Sequence, residues 1–300
     1  MAVKALNDAG GWGQALVNEA KKQGLSAELV ESADKVNHDD LFFARIAQKK
    51  DRREKELPEI IMAKKKGARL IPDFMLLSEY ESKIEQSKRY KGWMPETYYI
   101  TEKEEAEKKI GALGYPFVSK ASTGSASKNV RLIKNEEQAR QEIAAAFGNG
   151  LSAPHGLGER NQRGYLLWQR FVPDNGYDYR ACIVGDKIML LKRYNREDVP
   201  FASGSGLVEQ ITELDAESWM VLVFARNFFN KFGMEWAGID VVIDRKCDPC
   251  AETLFMLETT IGWPKSFNAD CVFFDSDNKD SGKKGADIWK VFVNYIRRYV

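Results

Sequence analysis

The 300-residue chain reads as a mixed α/β and α+β protein. Three observations predict this. Over the first 80 residues strand-like and helix-like segments alternate, the pattern of a parallel sheet with helices on its faces. Further on, extended segments follow one another across short turns, with Gly185-Asp186 at the tip of a long apolar hairpin, as antiparallel sheets require. The length exceeds what one small core organises and suits two or three associated units; three are expected, at 1–80, 81–170 and 171–300.

The elements follow in order. VKALND reads as a strand, GQALVNEAKKQG as an amphipathic helix closed by Gly24, and SAELVES and LFFARI as further strands. DRREKELPEIIMAKKKG is a helix ending at Gly67, its run of charges a solvated face. ARLIPDF is a strand. NDAGGWG, after the first strand, looks like a glycine-rich phosphate turn but lacks the G-x-G-x-x-G spacing, so a plain turn is expected. Residues 76–93 are expected to form one helix, followed by extended MPETYYIT and the helix EKEEAEKKIGALG. YPFVSKASTGSASKNVRLI gives strand, small-residue loop, strand, and EEQARQEIAAAFG a helix. A Gly/Pro/Asn loop covers 148–164, and YLLWQRFV is a strand. DYRACIVGDKIMLLKRYN is the hairpin, and 200–206 a flexible loop. The helix at 215–233 is capped by Asp215 and stopped by Gly233. Two apolar strands, WAGIDVVIDR and TLFMLETT, flank a turn at 246–252, and residues 285–300 close the chain as a helix.

With 45 basic and 44 acidic residues, the chain lacks the charge of a protein that coats nucleic acid or anionic membrane. No run of about 18 apolar residues suggests a membrane span. The start lacks a basic stretch followed by an apolar run, so no secretory signal is read and a cytoplasmic protein is expected. Its four cysteines (Cys182, Cys247, Cys250, Cys271) are sparse and stand without an export signal, so reduced thiols are expected; the CxxC at 247–250 lacks two further ligands for zinc and reads as a turn with two free thiols. The two histidines, His38 and His155, sit in polar loops, so any chemistry falls to Lys, Arg, Asp and Glu.

Asp240 and Glu258 each stand in one of the two apolar C-terminal strands. Paired as a hairpin around 247–249, the strands set these carboxylates opposite each other. Two adjacent carboxylates repel unless a cation lies between them. Magnesium takes one or two carboxylates plus water and phosphate oxygens, so the pair reads as a metal seat. The plainer alternative is a hairpin-end pair bridged to lysine. Lys120 ends the strand YPFVSK, and the amides of the following 121–129 loop are suited to phosphate. Taken alone, Lys120 reads equally well as a solvated lysine. Arg180 and Arg193 stand on the two arms of the hairpin, roughly across from each other, suited to clamping a phosphoryl or acyl-phosphate group. As structural residues they need a carboxylate between them, and Asp178 and Glu197 are at hand.

The order YPFVSK, small-residue loop, WQRFV, GYDYR, hairpin, GID, ETT resembles the ATP-grasp superfamily, which includes D-alanine–D-alanine ligase, glutathione synthetase and the ribosomal-protein glutamate ligases. The resemblance covers about residues 80–300 and, more weakly, a preceding Rossmann-like unit. It implies ATP between two α+β subdomains, with Mg²⁺, or Mn²⁺ in its place. Lys83 is similar to the earlier nucleotide lysine, with Lys88 as second candidate, and Lys120 to the lysine before the loop. Ser122, Thr123, Gly124 and Ser125 then lie over the phosphates. Gln169, Arg170, Phe171 and Val172 resemble the adenine hinge, and Asp178 the acid that meets ribose or substrate. Arg180 and Arg193 resemble the arginines near the γ-phosphate and acyl phosphate. Asp240, Glu258 and Thr260 take the places of the metal ligands. The chain departs from the pattern in three ways: its loop is poorer in glycine, Arg170 stands where a glutamate is common, and Thr260 replaces the usual Asn of Glu-x-Asn. The implied activity joins a small-molecule or peptide carboxylate to an amine or thiol through an acyl phosphate, releasing ADP and phosphate. An ATP-binding module with little turnover and a small-molecule kinase are the alternatives. Neither substrate identity nor oligomeric state can be read from the residues.

Overall fold

The computed structural model describes residues 1–8, 10–124, 129–152, 161–173, 175–195, 201, 206–246, 253–275 and 283–300. The first unit alternates as expected: β1 (Val3–Leu6), α1 (Trp12–Lys22), β2 (Ala27–Val30), β3 (Leu41–Phe43), α2 (Lys50–Lys65) and β4 (Arg69–Ile71). Its sheet is parallel, in the order β2-β1-β3-β4. α1 buries Trp12, Leu16, Val17 and Ala20, one helical face. The Asp8 carboxylate closes the turn before α1 by accepting from the amides of Gly10 and Gly13, both at 2.7 Å. NDAGGWG is therefore a capped helix start. A Cβ on Gly13 would meet the Leu6 carbonyl at 2.5 Å, which explains the glycine there.

The single helix expected at 76–93 is two short ones, α3 (Phe74–Glu79) and α4 (Lys83–Arg89). Ser82 breaks the run by capping α4, its hydroxyl accepting from the Glu85 amide. Glu81, at φ 61°, turns its buried carboxylate toward Gln48 and Gly124.

The second sheet is antiparallel, built from β5 (Thr97–Ile100), β6 (Phe117–Lys120), β7 (Val130–Ile133) and β10 (Leu166–Arg170) in the order β5-β10-β6-β7. One face packs on α5 (Lys103–Lys109) and α6 (Glu136–Ala146) around Phe117, Ile143 and Trp168. Within the loop expected at 148–164, β8 (Leu151–Ser152) pairs antiparallel with β9 (Asn161–Gln162).

The third sheet contains β11 (Tyr177–Val184), β12 (Lys187–Tyr194), β13 (Val208–Gln210), β14 (Trp236–Ile243), β15 (Leu254–Thr260), β16 (Cys271–Asp275) and β17 (Lys283–Ala286). The order is β15-β14-β11-β12-β16-β17, with β13 also on β12. One face packs on α7 (Ala216–Phe232), which is capped by Asp215 and ended by Gly233 in the left-handed conformation. The C-terminal helix α8 (Ile288–Ile296) starts later than expected, where Asp287 caps it, and 283–286 belong to β17 instead. Trp12 of α1 lies edge-on to Trp236, Trp263 and Trp289, joining the first unit and α8 to the other face of this sheet. Among the described residues, no helix is long and apolar enough to cross a membrane.

Candidate active site

Alternate residues of a strand share a face. The second sheet therefore turns Val118, Lys120, Val130 and Gln169 away from its helices, into a cavity. Asp178, Arg193, Asp240, Val242, Leu257 and Glu258 of the third sheet form the opposite wall, and Arg170 to Val172 cross one side. The space between the walls, open solvent at the mouth included, is about 870 Å³. Its lining divides into an apolar part (Val118, Val130, Phe171, Val172, Val242, Leu257) and a charged part (Lys83, Lys120, Asp178, Arg193, Asp240, Glu258).

Asp240 faces Glu258 across the β14–β15 hairpin. A bulge makes the register: Ile243 to Val241 pair with Leu254 to Met256, then Leu257 is skipped and Glu258 meets Asp240. The bulge turns both Leu257 and Glu258 into the cavity. In the long hairpin, Asp178 faces Arg193 and Arg180 faces Leu191, so the two arginines are diagonal neighbours rather than directly opposed.

The charged end is a dense network. Arg180 grips Asp240 with Nε on Oδ1 at 2.7 Å and Nη2 on Oδ2 at 3.0 Å. Arg193 donates to both oxygens of Asp178, at 2.6 and 2.7 Å, and reaches Asp240 at 2.8 Å. Burial opposes ionisation of Asp240, but the two guanidiniums outweigh it and hold the carboxyl at about 2. Burial pushes Asp178, which has only a share of Arg193, up to about 6. The carboxylate between the two arginines is thus Asp240.

Lys83 donates to the Gly124 carbonyl at 2.7 Å and stands 3.1 Å from Glu258. Lys120 donates to Gln169 at 2.7 Å, and burial lowers its ammonium to about 8. Gln169 therefore meets the site through its side chain, which also reaches Thr97 at 2.9 Å. Arg170 turns aside to Asp244 at 2.7 Å. The Ser122 amide is taken by the Tyr165 hydroxyl at 2.9 Å and that of Gly124 by Glu81 at 3.2 Å. The Thr123 hydroxyl and the side-chain amide oxygen Oδ1 of Asn129 are buried there without partners. Lys88 lies on the surface with Glu85, and Thr260 donates to the Gly262 carbonyl and is absent from the lining. Ser125, Cys247, Cys250, Glu197 and His155 lie outside the described residues. Cys182 and Cys271 are buried thiols, both pushed up to about 12 by burial. His38 is exposed and pairs with Asp39.

For a divalent cation the donors are few. Asp240 spends both oxygens on arginine, while Glu258 is half-exposed with Lys83 on one oxygen only. Among the described residues, no group of three or more His, Cys, Asp or Glu forms a metal site. This set fits Mg²⁺ that arrives on phosphate oxygens, and the unpartnered Thr123 hydroxyl fits the phosphate itself.

Several lining residues escape sequence reasoning: Val118, Val130, Val242, Leu257, Asn129 and Asn175. Two-residue alternation from Lys120 and Asp240 signals Val118 and Val242. Leu257 depends on the bulge, which has no sequence signal.

No family model matches the chain, and no curated protein matches it in sequence. Solved structures do match it in fold. A RimK-domain ATP-grasp protein from Sphaerobacter thermophilus shares 16% identity, with 98% of this chain and 99% of that one covered at a TM-score of 0.56. D-cycloserine synthetase DcsG shares 13% identity over 100% of both chains, with a TM-score of 0.62. The ATP-grasp ligase PsnB, complexed with a minimal precursor, Mg and ADP, shares 12% identity over 99% and 97%, with a TM-score of 0.60. The chain has the ATP-grasp fold, with a parallel N-terminal sheet ahead of the two antiparallel ones.

Proposed function

We propose that the cavity binds ATP and that the protein joins a carboxylate to an amine or thiol through an acyl phosphate, releasing ADP and phosphate. The observation that carries this reading is one cavity lined both by apolar residues, among them Val118, Phe171, Val172 and Val242, and by Lys83, Lys120, Arg193 and Glu258. The apolar lining suits a purine ring, with the 171–172 backbone along its edge. Lys83 and Lys120 neutralise phosphate oxygens, Thr123 donates its hydroxyl to them, and Glu258 and Asp240 hold the cation. Bound there, Mg²⁺ supplies neutralisation of the charge that develops on the phosphates. A substrate carboxylate displaces ADP from the γ-phosphoryl group, and the nucleophile then displaces phosphate from the acyl carbon. Arg180 and Arg193 steady the transferred group electrostatically. Three units, at 1–80, 81–170 and 171–300, and a small-molecule or peptide substrate complete the reading. The likeness to the ATP-grasp ligase PsnB and to D-cycloserine synthetase DcsG supports it at the level of fold.

One observation favours a second reading. Asp240 is saturated by arginine and Thr260 by Gly262, which suits an ATP-binding module of low turnover. Mass spectrometry of products from a pool of carboxylates and amines, with ATP and Mg²⁺, separates the two. The ligase gives ADP and a new amide or thioester, and Glu258→Gln lowers turnover by about a hundredfold or more. ATP binding without ADP formation in any pool identifies the module.

A further inference from the structure

Buried donors without acceptors gather outside the cavity, where the first unit meets the third sheet. Arg45 follows β3 and is half-buried. Its Nε is shielded from solvent without a partner, and among the described residues no hydrogen bond or ion pair reaches its guanidinium. The guanidinium carbon lies 5.1 Å from the centre of the Trp12 ring. Two glycines let the backbone come close: a Cβ on Gly262 would stand 2.9 Å from Nε, and one on Gly10 2.9 Å from Nη1. Trp263 is only 5% exposed and edge-on to Trp12 at 5.5 Å. Its indole N–H is also buried without an acceptor. Asp8, bordering Gly10, has its two oxygens on the amides of Gly10 and Gly13.

Leaving such donors unpaired is destabilising, and folded proteins keep few of them. Guanidinium and indole N–H donate and cannot accept, so the missing partner is an acceptor. The fork of Arg45 matches a carboxylate best. The triphosphate is not that partner, because neither Arg45 nor Trp263 lines the cavity.

We propose that Arg45 and Trp263 anchor a carboxylate that does not react, so that the substrate is a small acid carrying this carboxylate in addition to its reacting group. The proposal rests on the ligase reading for the second group, which must reach the Glu258 end of the cavity.

Glutarate is the probe, followed by the ¹H–¹⁵N signal of the Trp263 indole, assigned by its disappearance in Trp263→Phe. The wild-type signal is expected to shift saturably with glutarate and not with dimethyl glutarate. Arg45→Met is expected to weaken this binding by about tenfold or more, and Arg45→Lys, which keeps the charge but not the fork, by less. ATP–Mg²⁺ binding by calorimetry stays unchanged in both variants, which shows that they fold. Absence of a saturable shift, or a shift that Arg45→Met leaves intact, overturns the anchor. Glutarate binding without ATP binding overturns the ligase reading instead and leaves the anchor standing.

Discussion

Lys120 shows how much one position in a fold changes a side chain. A lysine ending a strand is ordinary in sequence, but here burial lowers its ammonium from 10.5 to about 8. Between those values the unfolded chain holds a proton that the folded one lacks, so stability rises with pH through that window. Below about pH 8 the folded protein carries the full cost of the buried ammonium, roughly 3 kcal/mol. Lys120→Met is therefore expected to stabilise the free protein at neutral pH by about 1–2 kcal/mol, after allowance for the orphaned Gln169 oxygen. A denaturant midpoint that fails to rise would contradict the desolvation argument. A triphosphate bound beside Lys120, as proposed, would restore the ammonium. ATP binding at about pH 8 should then take up on the order of half a proton, and almost none near pH 6. Calorimetry in buffers of different ionisation heat reads this directly, and an uptake that persists in Lys120→Met points to another group.

At the scale of elements, the site depends on where strands pair. Composition and alternation were enough to read β14 and β15 as a hairpin with Asp240 facing Glu258, because apolar strands with a polar turn between them have few alternative pairings. The reason this pairing holds was not legible: without the bulge, Leu257 would face Asp240. The diagonal offset of Arg180 and Arg193 was missed in the same way, by two residues of register. The break between α3 and α4 was hidden because Glu81 responds to partners far along the chain, Gln48 and Gly124, although the Ser82 cap on the Glu85 amide is local. Leu257 stands outside the ladder, and its removal restores regular pairing with Glu258 still opposite Asp240. Deleting Leu257 is thus expected to leave stability within about 1 kcal/mol while removing an apolar wall of the cavity. ATP affinity should fall by about tenfold, the value of one lost apolar contact. A deletion that unfolds the protein, or that leaves affinity unchanged in a titration, rejects this view of the bulge.

Across the whole molecule, one face of the third sheet does two jobs, and their order along the strands sets the architecture. On β11, β12 and β14 that face runs from Cys182, Met189 and Trp236, packed against the first unit and α8, to Asp178, Arg193 and Asp240 in the cavity. The apolar half fastens the N-terminal unit, so the loops carrying Asp8 and Arg45 end beside Gly262 and Trp263. The alternation of strands and helices made the first unit readable, but not its docking, because the tryptophans that fasten it lie at positions 12, 236, 263 and 289 and show no local pattern. Trp12 touches the other three, and replacing it by alanine empties the centre of the joint. Trp12→Ala is expected to cost about 3–5 kcal/mol in denaturant unfolding. The cavity is built from the second and third sheets, so on the proposed reading ATP affinity of the folded variant should stay within about threefold of the wild type. Carboxylate-dependent ADP release should fall far more, because the first unit no longer holds Arg45 against Gly262. Equal losses of ATP affinity and turnover would show instead that the first unit supports the nucleotide cavity itself.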